Sequence, residues 1–138
     1  METTPSRSHL KSEKITNSTV DKILSGLAMW LNQTANFEKE GENLEKCVDK
    51  GLVQACRPLL DLLEIDQKIK HRWGYTVLRT GPSPARFYNT KGPAFVVPIH
   101  TTGCPTASGV ELIPGSILYI TEEIEVGPGL VGLFVAVL

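Results

Sequence analysis

Cys104 lies between Gly103 and Pro105, in turn chemistry that exposes a side chain, and His71 and His100 would supply an imidazole base. A thiol nucleophile needs that base at hydrogen-bond distance and a third group to orient it. The sequence shows no such arrangement. Adding Cys47 and Cys56 does not make a zinc site, because no Cys-x-x-Cys pair is present and the spacings match no common structural motif. Glu122, Glu123 and Glu125 offer oxygen ligands for a divalent cation. Carboxylates at a strand end more often form a solvated rim, so no metal is expected there. The remaining cluster is Lys68, Lys70, His71 and Arg72, followed by Trp73 and Tyr75. Cations that grip phosphates and aromatics that stack on bases make single-stranded nucleic-acid sites. Cations also complement the C-terminal end of a helix, and that is the expected role. No Walker-type loop, dinucleotide fingerprint or Gly-x-Ser-x-Gly elbow is present.

The elements that must position these residues change character near Trp73. Residues 1–73 hold 11 of the 14 Lys and Arg and 11 of the 15 Asp and Glu, but two of nine Pro and three of twelve Gly. Charged, proline-poor sequence suits helices, whereas Pro and Gly at short intervals punctuate strands. The expected organisation is a disordered arm over 1–17, a helical region over 18–72 and a β-domain over 73–138. The first helix starts near Ser18, with Ser18 and Asp21 as a capping box. Its apolar stripe is Val20, Ile23, Leu24, Leu27, Ala28 and Leu31, flanked by Trp30. The polar stretch from Glu38 to Glu42 ends it. A second helix over 43–55 presents Leu44, Cys47, Val48, Leu52 and Ala55, and Pro58 stops it. A third begins with Pro58 in its first turn. Its Leu59, Leu60, Leu62, Leu63, Ile65 and Ile69 exceed one narrow stripe, so it contacts two surfaces, and Leu62 and Ile65 become candidates for a protein partner.

Strands are expected at 74–79, 85–88, 94–99, 110–112, 116–124 and 130–138, separated by Gly-Pro and Pro-Gly turns. The fold class is therefore α+β, with a small all-β barrel or jelly roll after the helical region. The last strand is apolar on both faces and would aggregate on an open edge. Leu130, Val131, Leu133, Phe134 and Val135 thus become the expected oligomer surface.

A chain of 138 residues fits one domain, and its net charge of -1 argues against a dedicated nucleic-acid binder. Three cysteines make no disulfide framework, so a reducing, cytoplasmic setting is expected. The polar start is no signal peptide, the sequons at Asn17 and Asn32 are chance matches, and no apolar run is long enough to span a bilayer.

Leu112-Ile113-Pro114-Gly115, Thr121-Glu122-Glu123-Ile124-Glu125-Val126 and Pro128-Gly129-Leu130-Val131-Gly132 resemble the central stretch of the deoxycytidine triphosphate deaminase and deoxyuridine triphosphatase superfamily. Trp73 to Arg79 is faintly similar to the strand that opens the deaminase barrel. The resemblance implies a trimer with nucleotide sites between subunits, magnesium on the triphosphate, an Arg-Ser-Ser segment on the phosphates and a later acidic residue that activates water. Neither element has a counterpart in this sequence, so no catalytic residue is carried over. The expected function is a non-catalytic oligomeric assembly or regulatory module on a dUTPase-like scaffold, without cofactor. Two alternatives stand beside it: a deoxynucleotide-binding relative, divergent or incomplete, using magnesium, and a single-strand contact through Lys68, Lys70, Arg72 and Trp73.

Overall fold

Leu130–Val137 carries no polar side chain, and such a strand is stable only where both of its faces are covered. The computed structural model, which describes residues 10–41 and 43–138, covers both. Among the described residues the chain order is β1 (Ser12–Lys14), α1 (Val20–Gln33), β2 (Phe37–Gly41), β3 (Leu44–Cys47), α2 (Leu52–Leu63), α3 (Ile65–Lys68), β4 (Trp73–Thr80), β5 (Ala85–Phe87), β6 (Ala94–Thr101), β7 (Thr106–Ala107), β8 (Val110–Glu111), β9 (Ser116–Ile120), β10 (Ile124–Val126) and β11 (Leu130–Val137). A seven-stranded antiparallel sheet has the order β1-β9-β6-β11-β4-β3-β2, and a four-stranded sheet the order β5-β10-β7-β8. The fold is mixed α and β with antiparallel sheets, and no barrel closes among the described residues.

Alternation along β11 divides the interior in two. Val131, Leu133, Val135 and Val137 meet Val20, Leu24, Leu27 and Leu31 of α1 and Cys56, Leu59 and Leu63 of α2 in one core. Leu130 and Phe134 face the other way, into a core shared with Ile124, Val126 and Ala107 of the small sheet. The molecule is thus three layers: helices, large sheet, small sheet.

This arrangement corrects the expected oligomer surface. Leu130, Leu133 and Val135 are fully buried within the single chain, and Val131 and Phe134 nearly so. The strand is apolar on both sides because it is central, paired with β4 and β6 and roofed on each face by its own chain. Ile65 is likewise buried, and Leu62 is half-buried against the helix-side core. The surplus apolar surface that argued for a neighbouring copy is therefore consumed inside the fold.

Other expectations shift locally. The α1 stripe is as read, although the helix begins at Val20 and the local turn is held by Asn17 Oδ1, which accepts from the Thr19 amide and hydroxyl. Phe37–Gly41 and Leu44–Cys47 pair as the hairpin strands β2 and β3, and β3 joins the large sheet beside β4. The expected helix over 43–55 starts only at Leu52 and runs through Pro58 to Leu63. Pro58 is exposed, so the carbonyl it frees faces water, while Cys56, Leu59 and Leu63 keep the buried stripe intact. Strand 116–124 is two strands in different sheets, with Thr121–Glu123 as the crossover. Ser12–Lys14 pairs with β9 rather than belonging to an arm, and residues 1–9 of the expected arm lie outside the described residues, as does Glu42.

Candidate functional site

The residues first singled out for chemistry are dispersed. His100 stands opposite Val131, and His71 lies just before Trp73, which stands opposite Val137. Six residues of strand, roughly 20 Å, separate those register positions. Cys104 is exposed beside an open depression formed by loops 102–106 and 127–129, and no hydrogen bond joins it to a histidine among the described residues. Cys47 and Cys56 are buried in the helix-side core, where burial pushes the Cys56 thiol up to about 12 and raises that of Cys47. Both are inert packing groups at neutral pH. Glu123 reaches only Arg86, at 3.9 Å across exposed surface, and the described residues contain no cluster of three metal-capable side chains.

Two members of the 68–75 cluster are tied into the fold. Lys68 Nζ donates to the Leu63 carbonyl at 2.7 Å, satisfying the end of α2, and Trp73 Nε1 donates to Asp66 Oδ1 at 2.8 Å. Lys70, His71 and Arg72 remain exposed. Trp73 is half-buried against the helix-side core.

A different place combines shape with unspent groups. At the end of the large sheet where β6 starts and β9 and β11 finish, β5 leads into loop 88–93, and two adjoining depressions open between the sheets. Their volumes are about 240 and 370 Å³, and they share Tyr88, Asn89, Ala94 and Ile120. The inner one is walled by Leu78, Phe87 and Phe134, whose two rings stack at 4.6 Å and 28°. Stacking at that offset holds both rings in place. Tyr88 stands at the rim, 56% exposed. Asn89 secures the loop: its Nδ2 donates to the Val137 carbonyl at 3.0 Å, and its Oδ1 accepts from the Lys91 amide at 3.2 Å.

No carboxylate, amine, imidazole or thiol lines either depression; the polar lining groups are phenols, hydroxyls, an amide and backbone. Such a lining suits holding a neutral molecule. Its phenols, hydroxyls and amide both donate and accept hydrogen bonds. Thr76, opposite Phe134 on β4 and two residues before Leu78, shares their face. Its Oγ1 is buried with no hydrogen-bond partner, alone in this among the described residues.

A larger concavity of about 650 Å³ lies where β1 passes the start of α1 and turn 113–116. Several of its polar groups are already occupied in local turns: Asn17 Oδ1 serves Thr19, and Ser116 Oγ donates to the Ile113 carbonyl at 2.6 Å. The aromatic cleft is therefore the better candidate despite its smaller size.

Of the cleft residues, Phe134 and Val135 were singled out from sequence, but as an oligomer surface rather than as walls of a binding site. An aromatic pair, Phe87-Tyr88, placed directly before an Asn-Thr-Lys-Gly-Pro loop is the signal that would have found it, since one ring packs and the next is presented. Compared with protein-family models, curated proteins and solved structures, the chain matches nothing in any of the three. No helix among the described residues is long and apolar enough to cross a membrane.

Proposed function

We propose that this chain is a non-catalytic recognition module, a regulatory or assembly component whose binding site is the aromatic cleft at the open end of the sheet sandwich. One observation carries the reading: the cleft joins stacked, apolar inner walls to an exposed tyrosine rim, and no charged side chain lines it. Together its two parts fall in the range of about 300 to 1,000 Å³ usual for small-molecule sites. The test is saturable binding of methylbenzene to the full chain, followed by NMR. Ala136→Leu places extra volume in the inner wall and abolishes binding, while Tyr88→Ala at the rim weakens it. Equal binding by all three proteins removes the cleft from the account.

A second reading keeps the jelly-roll-like, dUTPase-like relationship and a deoxynucleotide ligand with magnesium. It is favoured by the run from β8 to β11, in which turns containing Pro114-Gly115 and Pro128-Gly129 join successive strands in the order that the resemblance requires. A deoxynucleoside triphosphate with magnesium then raises the melting temperature, because a ligand selective for the folded state stabilises it. A flat titration with all four leaves the recognition reading alone.

A further inference from the structure

Where β1 passes the start of α1, the larger concavity of about 650 Å³ holds two charged groups that the fold does not use. Lys14 and Asp21 both line it, from different elements: Lys14 ends β1, and Asp21 stands in the first turn of α1. Each also borders turn 113–116. Lys14 stands opposite Ser116 in the β1–β9 pairing, and Asp21 Oδ1 lies 3.8 Å from where a Cβ on Gly115 would sit. The turn itself is clamped to the chain after β1, because the Ile15 amide donates to the Gly115 carbonyl at 2.8 Å. Yet the ion pairs among the described residues are Arg79–Glu45 and Arg86–Glu123, so Lys14 and Asp21 pair neither with each other nor with a third ionised group. Two opposite charges line one space and stay apart. Apolar groups complete the lining, with Ile15 and Val20 on one side and Ile113 and Pro114 on the other. Ile113 is 52% exposed, so a large aliphatic surface there is left uncovered by its own chain. The volume is within the range usual for small-molecule sites.

We infer that this concavity is a second binding site, one for a free α-amino acid with an aliphatic side chain. The ligand's carboxylate meets Lys14, its ammonium meets Asp21, and its side chain covers Ile113 and Pro114. A simple anion is repelled by Asp21 and a simple cation by Lys14, so the two together select a molecule that carries both signs. Each contact is weak at so exposed a surface, and selectivity comes from the pattern of charges rather than from either alone. The concavity shares no residue with the aromatic cleft, so it stands or falls apart from the recognition reading.

The experiment titrates the full chain with L-leucine, glycine, L-leucinamide and N-acetyl-L-leucine, followed by backbone amide shifts. L-leucine binds saturably, with shifts grouped at Lys14, Asp21, Gly115 and Ser116. It binds roughly tenfold more tightly than glycine, which has no apolar side chain to bury. L-leucinamide lacks the carboxylate and N-acetyl-L-leucine lacks the ammonium, and each binds about fivefold more weakly than L-leucine. Lys14→Gln costs L-leucine about fivefold and leaves L-leucinamide unchanged, while Asp21→Asn costs it the same and leaves N-acetyl-L-leucine unchanged. Both side chains are exposed, so neither substitution unfolds the chain, and unchanged melting temperatures check this. Ile113→Ala removes most of the advantage of L-leucine over glycine. Shifts that never saturate with L-leucine overturn the site. Equal binding of L-leucine and its two blocked forms, or an affinity indifferent to both charge substitutions, overturns the roles given to Lys14 and Asp21 and with them the amino-acid ligand.

Discussion

Two ends of one strand pair behave differently. Where β4 ends and β11 begins, Thr80 is tied into the backbone of the β10–β11 turn, and the Gly81 amide donates to the Asn43 carbonyl at 2.6 Å. On the other side of that turn, the Thr102 amide donates to the Gly129 carbonyl at 2.8 Å. Toward the opposite end the same face of β4 carries Thr76 without a partner, the sheets part, and Tyr88 stands in solvent. One end is closed by the chain's own hydrogen bonds. The other is left with apolar walls under an exposed phenol rim, as expected of a surface whose last contact comes from outside. The lesson is that one residue type on one strand is a structural pin where the chain's own backbone reaches it and an unsatisfied buried hydroxyl where none does.

The closed end gives the largest expected effects. Gly129 has φ +97°, and a Cβ there would overlap the Thr102 carbonyl oxygen. Gly129→Ala is therefore strained twice over and costs at least about 2 kcal/mol, read as a lowered denaturant midpoint. Thr80→Val leaves the Leu130 amide unpaired in the interior and costs about 1 to 3 kcal/mol. Thr76→Val sharpens the contrast, because the same substitution at the open end stabilises, by up to about 1 kcal/mol. Equal effects at the two threonines would erase the distinction between the ends.

A smaller effect concerns how the hairpin is held. Asp49 accepts from the Gly51 amide at 2.8 Å through Oδ1, and from the Asn36 amide and side chain at 3.1 and 2.9 Å through Oδ2. These bonds, the Gly51 amide foremost, hold its carboxyl below the usual range. A depressed folded-state pKa means that the contribution is present above the unfolded value near pH 4 and is lost as pH falls through the folded one. Asp49→Asn therefore has a shallower acid limb of stability than the wild type below about pH 4, measured by urea midpoints across that range. Superimposable limbs would remove Asp49 from the acid response.

Much of the fold can be read from local pattern. The α1 stripe, the apolar β11 and the turns at Pro114-Gly115 and Pro128-Gly129 are each set by short-range spacing and turn chemistry, and each is found where expected. The hairpin β2–β3 was misread because Leu44, Cys47 and Val48 fall at helical spacing over too few residues for alternation to show. The role of β11 was misread for a different reason. Apolar side chains on both faces announce that two layers cover a strand, and say nothing of whether those layers come from the same chain. For the site, the sequence pointed to ionisable groups, whereas the cleft is built from Leu78, Phe87, Tyr88 and Phe134. Which side chains of two sheets meet at one end is a property of the assembled fold and has no signature in residue order.

The claim that the open end is a binding site is tested most directly by mapping backbone amide shifts of the full chain during a 4-methylphenol titration. The account predicts saturable shifts grouped at Leu78, Phe87, Ala94 and Phe134, with the Thr80–Gly129 end still. Shifts that never saturate, or that gather on α1 and α2, would contradict it.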